Sequence, residues 1–387
     1  MPLLGPHLGF SLLTLLPQRI GGSETYVRSL LREFAAGRGP QHVTVLANGA
    51  VMAAYRDLHG GSVSLHHVPS YSVADKSVPR GRAMASARLR PRRLARDLPP
   101  GLEAVHYPLT VPIPRVHQPS VVTLHDLQHL ELPGMFSRLE RRYRRWAYDG
   151  SARAATLVIT PTEHARRTAV ERLDLEPDRV EAVPSGIDRA RFREECADDE
   201  AELLARFALP ERFLIYPANL WPHKNHELLI EALAAVEHLN VHLLLTGQPY
   251  DRLSGLLARA QRLGIGARVR HLGFVSERSM PALYRRATAM IFPSLYEGFG
   301  FPPLEAMACG CPVAASNRGS LAEVCGDAAL LLDPGDPRSI ASAIESIVAD
   351  ARLRARLRKR GLARARYFSW PASAERHREI YARVADL

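Results

Sequence analysis

Short apolar runs rich in leucine and β-branched residues alternate with amphipathic helical patterns, and this alternation restricts the fold more than any other feature. Apolar strands separated by helices are typical of parallel sheets that carry helices on both faces. The strands fall into two series, which predict an α/β protein with two Rossmann-like, doubly wound domains. The predicted strands are Leu8–Leu15, Val43–Leu46, Ser64–Val68, Ser120–Leu124 and Thr156–Thr160, then Phe213–Tyr216, Val241–Thr246, Val269–Leu272, Ala289–Phe292 and Pro312–Ala315.

The domain boundary is predicted where an acidic stretch from Glu194 to Glu200 precedes the second series of strands. A length of 387 residues also suits two domains. The expected division is a first domain over 1–195, a linker over 196–212, a second domain over 213–368 and a closing helix over 369–387. Ser369 is a candidate N-cap of that helix, and Pro371 suits its first turn.

The amino-acid composition indicates which cellular compartment and which binding partners to expect. The four cysteines are too few and too unevenly spaced for a disulfide framework or a structural zinc site, so we expect a reducing, cytoplasmic compartment. No apolar run approaches the roughly 18 residues that cross a bilayer. The formal net charge is +11 without a nucleic-acid-binding motif, which favours phosphorylated substrates or an anionic membrane over nucleic acid.

One segment, Lys76–Arg96, carries eight basic residues and no acidic residue. Such a cluster predicts peripheral contact with the inner face of the plasma membrane or with a lipid-diphosphate acceptor. A solvated arginine-rich loop explains the same pattern equally well.

The loop from Pro293 to Ala306 offers the richest chemistry, because ligands of open parallel sheets bind beyond the carboxyl ends of the strands. Gly298 and Gly300 let the backbone approach a ligand closely, and the helix N-terminus that follows can bind a diphosphate. Glu297 in the loop and Glu305, expected in the first helical turn, could accept hydrogen bonds from sugar hydroxyls. Isolated glutamates would more often be a solvated loop residue and a helix-dipole carboxylate.

A second loop, Ala218–His226, follows the strand that opens the second series. Lys224 is one of only three lysines, with Lys76 and Lys359, in a chain that otherwise uses arginine. A cation is mildly unfavourable at a helix start, so its position there favours a role in phosphate binding over an ordinary surface lysine. His223 and His226 are expected to be capping or surface residues.

Two weaker candidates lie in the first domain. His125 follows an apolar strand and could donate a hydrogen bond near a reacting carbon, although a satisfied strand-end histidine is as good an explanation. The spacing to His129 superficially matches a zinc motif that requires a helix, so no metal is expected. Gly21 and Gly22 precede a helix for which Ser23 is the expected N-cap, an arrangement that can hold phosphate.

Taken together, these motifs resemble the retaining GT-B glycosyltransferases of family 4. The likeness runs in order through Gly21-Gly22, Thr123–Asp126, Val183–Asp188, Pro222–Asn225, Leu245–Gly247, His271–Val275 and the E-x7-E pattern of Glu297 and Glu305. It implies two domains facing a central cleft, with the acceptor on the side of the first domain and the nucleotide sugar in the second. The closing helix would cross back to the first domain.

The resemblance also implies residue roles. Glu305 would bind the ribose, and Glu297 the sugar hydroxyls. Lys224 and Gly22 would approach the diphosphate, and His125 the transferred carbon. The remaining donor-binding positions that it implies are Asn219, Val275, Gly298, Phe299, Gly300 and Leu304. Asn219 departs from the family, which commonly has arginine there, so more of the diphosphate binding would rest on Lys224, with His223 as an aid.

The implied activity is a hexosyltransferase that needs no cofactor or metal and retains the anomeric configuration. The forms W-P-H-K-N-H and H-D-L-Q-H are similar to bacterial mannosyltransferases of polysaccharide assembly, which favours GDP-mannose as the donor and a glycan or lipid-linked acceptor. The alternatives are a nucleotide-sugar epimerase or phosphorylase-like enzyme on the same architecture and a non-catalytic sugar-nucleotide or membrane-surface binding module.

Overall fold

The computed structural model describes residues 6–17, 21–40, 42–71, 94, 96–196 and 199–387. The chain divides into two compact units. Unit 1 comprises Met1–Gly186 together with Ser369–Leu387, and unit 2 comprises Ile187–Phe368. The basic segment Lys76–Arg96 lies outside the described residues except for Leu94 and Arg96.

Unit 1 is built on a parallel sheet with the strand order β3-β2-β1-β4-β5-β6-β7. Its strands are β1 His7–Ser11, β2 His42–Ala47, β3 Val63–His67, β4 Ala104–Tyr107, β5 Ser120–Thr123, β6 Leu157–Thr160 and β7 Val180–Ala182. The order reverses between β1 and β4, and such a switch point is where loops diverge and ligands bind in doubly wound sheets.

Helices connect these strands. They are α1 Gly21–Ala35, α2 Gly49–Ala54, α3 Gln128–Glu131, α4 Arg138–Arg144, α5 Gly150–Ala154 and α6 Glu163–Leu173. A π-helical segment, Arg145–Asp149, joins α4 to α5. Helix α1 begins at Gly21, so Ser23 lies inside the helix rather than at the N-cap that the sequence predicted.

Unit 2 repeats the architecture with a second parallel sheet in the order β10-β9-β8-β11-β12-β13. Its strands are β8 Phe213–Pro217, β9 His242–Thr246, β10 Val269–His271, β11 Ala289–Phe292, β12 Val313–Ser316 and β13 Leu330–Leu332. The order reverses between β8 and β11, which are hydrogen-bonded neighbours with Ala289 opposite Leu214. The prediction of two doubly wound α/β domains is therefore confirmed.

The helices of unit 2 cover a core in which all four side chains of β11 are buried. They are α7 Glu200–Ala205, α8 His226–Ala235, α9 Leu253–Arg262, α10 Met280–Arg286, α11 Phe301–Ala308, α12 Ser320–Cys325, α13 Pro337–Ala349 and α14 Ala351–Tyr367. As the sequence predicted, a proline occupies the first turn of α11, and Gly310 follows its end with a φ of 73°.

Three strands were not predicted from the sequence: β4, β7 and β13. The first reads Ala-Val-His-Tyr, and the other two have only three residues each, so their apolar patterns are too weak or too short to distinguish from loops. The first predicted strand, Leu8–Leu15, is also shorter in the structure, because β1 ends at Ser11.

The boundary between the units lies at Gly186 and Ile187, before the predicted linker 196–212. The reason is packing. Ile187 and Phe192 are 5% and 4% exposed and belong to the core of unit 2, and Phe207 joins the same core. The Ile187 N–H also donates a hydrogen bond of 3.2 Å to the Phe368 carbonyl, next to the second crossing between the units.

The closing helix, α15 Trp370–Ala385, belongs to unit 1 and packs on α1. Ser369 is its N-cap and accepts a hydrogen bond from the Ala372 N–H, as the sequence predicted. Gly186 is required beneath it, because a Cβ at this position would lie 2.1 Å from the Trp370 backbone nitrogen.

A buried polar cluster fixes α15 to the sheet of unit 1. The hydroxyl of Tyr26 lies 2.7 Å from His377 Nε2 and 3.0 Å from Thr123 Oγ1. The hydroxyl of Tyr381 lies 2.7 Å from Nδ1 of the fully buried His106. Buried polar groups must be hydrogen-bonded to avoid a desolvation penalty, so these contacts fix the position and orientation of α15 on the sheet.

We predict that this cluster makes unit 1 acid-sensitive. Burial lowers the pKa of His377 from 6.5 to about 4. Between these two pH values the ring is protonated in the unfolded chain and neutral in the folded protein. The free energy of unfolding should therefore fall by about 1.4 kcal/mol per pH unit as the pH drops through this interval. Chemical denaturation of wild type and His377→Gln across this range measures the difference in slope.

The matched control is His67→Gln, which changes an exposed histidine on β3. It should leave the pH dependence of wild type unchanged. Identical slopes for wild type and His377→Gln would contradict the assignment.

Candidate functional site

Two loops of unit 2 leave the sheet at its switch point. The loop Ala218–Asn225 follows β8, and the loop Pro293–Gly300 follows β11. Because β8 and β11 are adjacent and parallel, both loops start from the same edge of the sheet, although their sequences lie more than 60 residues apart. The switch point therefore brings together the two motifs that the sequence singled out.

Asn225 ties these loops together. It adopts a left-handed conformation with a φ of 61°, which asparagine tolerates better than most residues. Its Nδ2 donates to the carbonyls of Pro293 at 3.2 Å and Pro334 at 2.7 Å. The Leu295 N–H adds a 2.8 Å hydrogen bond to the His223 carbonyl. The relative position of the loops is thus set by backbone and amide contacts rather than by surface charge.

Lys224 and Glu297 form an ion pair between the loops. Lys224 Nζ lies 2.5 Å from Glu297 Oε1, and their side chains are only 16% and 12% exposed. The ammonium also lies 5.7 Å from the centre of the Phe292 ring. The Tyr216 hydroxyl donates to the Lys224 carbonyl at 2.6 Å and fixes the backbone. The pair is a charged, partly desolvated centre, where electrostatic interactions are stronger than at an exposed surface.

Gly300 precedes α11 and cannot be replaced without strain. Its φ is 100°, and a Cβ would lie 2.6 Å from Leu321 Cδ2. Pro302 and Pro303 supply no N–H, so the amide donors of this helix end are those of Gly300 and Phe301. Phe299 is buried with its ring edge-to-face against Phe301 at 5.0 Å. This end of α11 is suited to an anion.

Glu305 differs from its prediction. It is the fifth residue of α11, beyond the first turn, and the favourable effect of the helix dipole weakens there. Burial raises the pKa of Glu305 to about 7, opposed by the Tyr284 hydroxyl, which donates to Oε2 at 3.0 Å. The prediction that Glu305 lies in the first helical turn is therefore wrong, and desolvation outweighs the helix dipole at this carboxylate.

The other predicted donor-binding residues of unit 2 differ in their contacts and in their exposure to solvent. Asn219 Oδ1 accepts a 2.8 Å hydrogen bond from the Gln248 N–H, so its side chain joins the loops after β8 and β9. Leu304 is fully buried, which limits it to backbone contacts, and Val275 is 8% exposed. Gly298 is half-buried in the glutamate loop. Phe274 lies within the His271–Val275 motif and is 78% exposed beside Val275, but nothing in the sequence assigned it a role.

His125 and Gly22 lie in unit 1, and Gly22 is on the same helix, α1, as Tyr26, which His125 contacts. The His125 ring packs edge-to-face on Tyr26 at 5.1 Å, and Gly22 is the second residue of α1. His125 Nε2 lies 2.6 Å from the Pro108 carbonyl and must donate to it. Burial lowers the pKa of His125, so Nδ1 of the neutral ring is an acceptor. The expected hydrogen-bond donor is therefore engaged within unit 1.

Three other histidines are also placed. His223 and His226 are 8% and 6% exposed, and Asn225 rather than either histidine occupies the cap position before α8, so the expectation of capping or surface residues is wrong. His129 is buried on α3, with Nε2 2.9 Å from Asp149 Oδ1, whereas His125 lies in the loop that precedes this helix. Over the described residues, no group of three or more His, Cys, Asp or Glu side chains could hold a metal ion. No described helix has the length and apolarity of a membrane span.

Comparison with known proteins agrees with this architecture. Residues 20–191 match the model of Glycosyltransferase Family 4, and residues 204–364 match that of the Glycosyl transferases group 1. O-antigen chain mannosyltransferase B of Escherichia coli is 31% identical over 292 residues, which cover 73% of this chain and 75% of that protein. The serotype-specific mannosyltransferase WbdA of the same species is 28% identical over 287 residues, covering 72% of this chain and 35% of WbdA.

Solved structures show the same fold. HepE of Anabaena, crystallised with UDP and glucose, matches with a TM-score of 0.72 at 21% identity, over 97% of this chain and 99% of HepE. The family models, the relatives and the fold all indicate a glycosyltransferase. The chain belongs to glycosyltransferase family 4 and has the two parallel-sheet α/β domains of the GT-B fold.

We predict that ionised Glu305 destabilises unit 2. A folded pKa of about 7 above an ordinary 4.5 means that its contribution to stability is present below pH 4.5 and is lost as the pH rises through 7. Glu305→Gln should therefore raise the free energy of unfolding above pH 7, by about 2 kcal/mol after allowance for its partial contact with solvent. The gain should vanish in acid, as measured by denaturation across that range.

Exposed Glu211 provides the control, since Glu211→Gln removes a carboxylate of the same unit without a buried environment. Its stability should follow wild type at every pH. A Glu305→Gln protein that is less stable than wild type above pH 7 would show that the carboxylate is needed for folding.

Proposed function

We propose that this glycosyltransferase moves a hexose, with mannose favoured, from a nucleoside-diphosphate sugar to an acceptor hydroxyl in the assembly of a glycan or lipid-linked polysaccharide. GDP-mannose is the favoured donor because two relatives are mannosyltransferases. HepE shares the fold and was crystallised with UDP and glucose, which supports a nucleotide sugar as the donor class. The observation that carries the proposal is the Lys224–Glu297 pair at the switch point of unit 2.

The proposed reaction breaks the bond between the anomeric carbon and the β-phosphate oxygen and forms a bond from that carbon to the acceptor oxygen. The acceptor proton passes to the departing diphosphate, and attack from the same face retains the anomeric configuration. Negative charge develops on the leaving diphosphate, where Lys224 and the amides of Gly300 and Phe301 would stabilise it without a metal ion.

The remaining groups of unit 2 would position the donor. Glu297, released from part of its bond to Lys224, would accept hydrogen bonds from the sugar hydroxyls, and Glu305 would do so from the ribose. Exposed Phe274 offers a ring face beside Val275 for the nucleobase. Contacts of Gly22 and His125 with the donor remain predictions from the resemblance.

We further propose that the enzyme is a cytoplasmic protein that touches an anionic membrane through the basic segment Lys76–Arg96 and through α4. Leu139, Tyr143 and Trp146 are 76%, 43% and 48% exposed along α4 and the π-helical segment. Their spacing of four and three residues places them on one side of a helix. Flanking arginines are Arg138, Arg141, Arg142, Arg144 and Arg145. An apolar stripe with basic flanks suits the interface of an anionic bilayer.

We predict that Lys224→Ala lowers turnover by roughly 100-fold and weakens donor binding, because a cation that stabilises the leaving group is lost. Initial rates with GDP-mannose and a mannose-terminated acceptor, together with calorimetry of GDP binding, provide the measurement. NMR of the product gives the anomeric configuration, and an added chelator should leave turnover unchanged. Glu297→Gln is the companion variant, expected to bind GDP normally but to turn over slowly.

Lys359→Ala is the matched control, since it removes an exposed lysine of α14 in the same unit. It should retain wild-type kinetics. Equal donor affinity in the two lysine variants would rule out the diphosphate role of Lys224, and an inverted product would rule out the retaining mechanism.

We predict that wild type co-sediments with anionic vesicles at low salt and is released at high salt, and that it ignores neutral vesicles. Replacing Leu139 and Trp146 together by serine should weaken binding at least several-fold, because both side chains are proposed to enter the interface. Tyr367→Ser changes a 71% exposed aromatic of unit 2 and should bind as wild type does. Equal binding to neutral and anionic vesicles would contradict the membrane proposal.

A further inference from the structure

A cavity of about 580 Å³ lies between the start of α8 and one side of α9 on unit 2. Its volume falls within the range of small-molecule sites. Trp221, His226, Asp251, Arg252 and Arg259 are among its lining residues, whereas Lys224, Glu297 and Glu305 are not. The cavity is therefore separate from the site proposed for the donor, although the loop after β8 borders both.

An exposed aromatic pair stands beside this cavity. The rings of Trp221 and Tyr250 are stacked with centroids 6.2 Å apart and an interplanar angle of 29°. Their side chains are 46% and 53% exposed, which is unusual for large aromatic residues. The backbone of Tyr250 is in the left-handed region, with a φ of 48°. Bulky residues adopt this conformation only at a cost in conformational energy.

Two of the arginines that line the cavity are already paired, and Asp251 and Arg262 add one charge of each sign to its lining. Arg252 Nη2 lies 3.1 Å from Glu227 Oε1, and Arg259 is hydrogen-bonded to Glu231. Paired arginines have little charge left for a phosphate, but each arginine–carboxylate pair presents N–H donors beside carboxylate acceptors. This arrangement favours a neutral, polyhydroxylated ligand over an anion.

We propose that this cavity and the Trp221–Tyr250 pair form a second binding site, specific for a neutral oligosaccharide. The polarised C–H groups of a sugar ring would lie on the electron-rich aromatic faces, and its hydroxyls would bond the paired charged groups. Such a site would hold a glycan chain at a distance from the reacting end. The site's existence does not depend on which donor the enzyme uses.

Tyr250→Gly provides a selective test, because the substitution removes the ring and glycine adopts a positive φ without strain. We expect its thermal midpoint to stay at or above that of wild type. Saturation-transfer NMR and titration with α-linked manno-oligosaccharides and malto-oligosaccharides as neutral probes should show binding by wild type. Tyr250→Gly and Trp221→Ala should each weaken that binding by about tenfold or more, a range typical of aromatic hot spots.

Donor titration separates this inference from the proposed function. GDP-mannose affinity should be the same in wild type and Tyr250→Gly, whereas the apparent affinity for long acceptors should fall in the variant. Tyr367→Ala, on the exposed surface of α14, is the aromatic control and should bind the probes as wild type does. Unaltered oligosaccharide binding in Tyr250→Gly, no binding by wild type, or preference for pyrophosphate over neutral probes would each overturn the proposal.

Discussion

The reversal of strand order between β8 and β11 is the constraint on which the candidate site depends. In a parallel sheet that extends in both directions from its central pair, the connections after those two strands turn away to opposite sides. Their first residues remain side by side, and this adjacency lets Lys224 reach Glu297 across 73 positions of sequence. Unit 1 reverses its order in the same way between β1 and β4, close to the start of α1.

Topology alone would leave these loops free to move, and local chemistry fixes them. Asn225 and Gly300 each occupy a left-handed conformation, and each is placed where a longer or branched side chain would lose a contact or clash. The amide of Asn225 then converts its unusual backbone into two hydrogen bonds with neighbouring loops. The loops that carry the ion pair are thus held in place by uncharged groups. Lys224 and Glu297 are therefore not needed to hold the loops together and can exchange partners when a ligand binds.

The sequence was sufficient for the two-domain α/β fold and for the loop motifs, because strand periodicity, prolines and glycines act locally. It was insufficient where the outcome depends on distant contacts. The unit boundary moved to Ile187 because Phe192 and Phe207 pack into the second core, which their own sequence does not reveal. Likewise, the hydrogen bond of His125 to Pro108 and the buried surroundings of Glu305 come from other elements.

The two glutamates of the E-x7-E pattern show how one motif yields two chemistries. Glu297 faces an ammonium at 2.5 Å, so its carboxylate is compensated by charge. Glu305 is compensated chiefly by the neutral hydroxyl of Tyr284 and is otherwise desolvated. A bound diphosphate would therefore compete with Glu297 for Lys224. Ligand hydroxyls would instead donate hydrogen bonds to Glu305, which has few such donors among the residues that the structure describes. In the proposed function, these different environments on either side of α11's first residue would let two carboxylates of the same kind bind different parts of a nucleotide sugar.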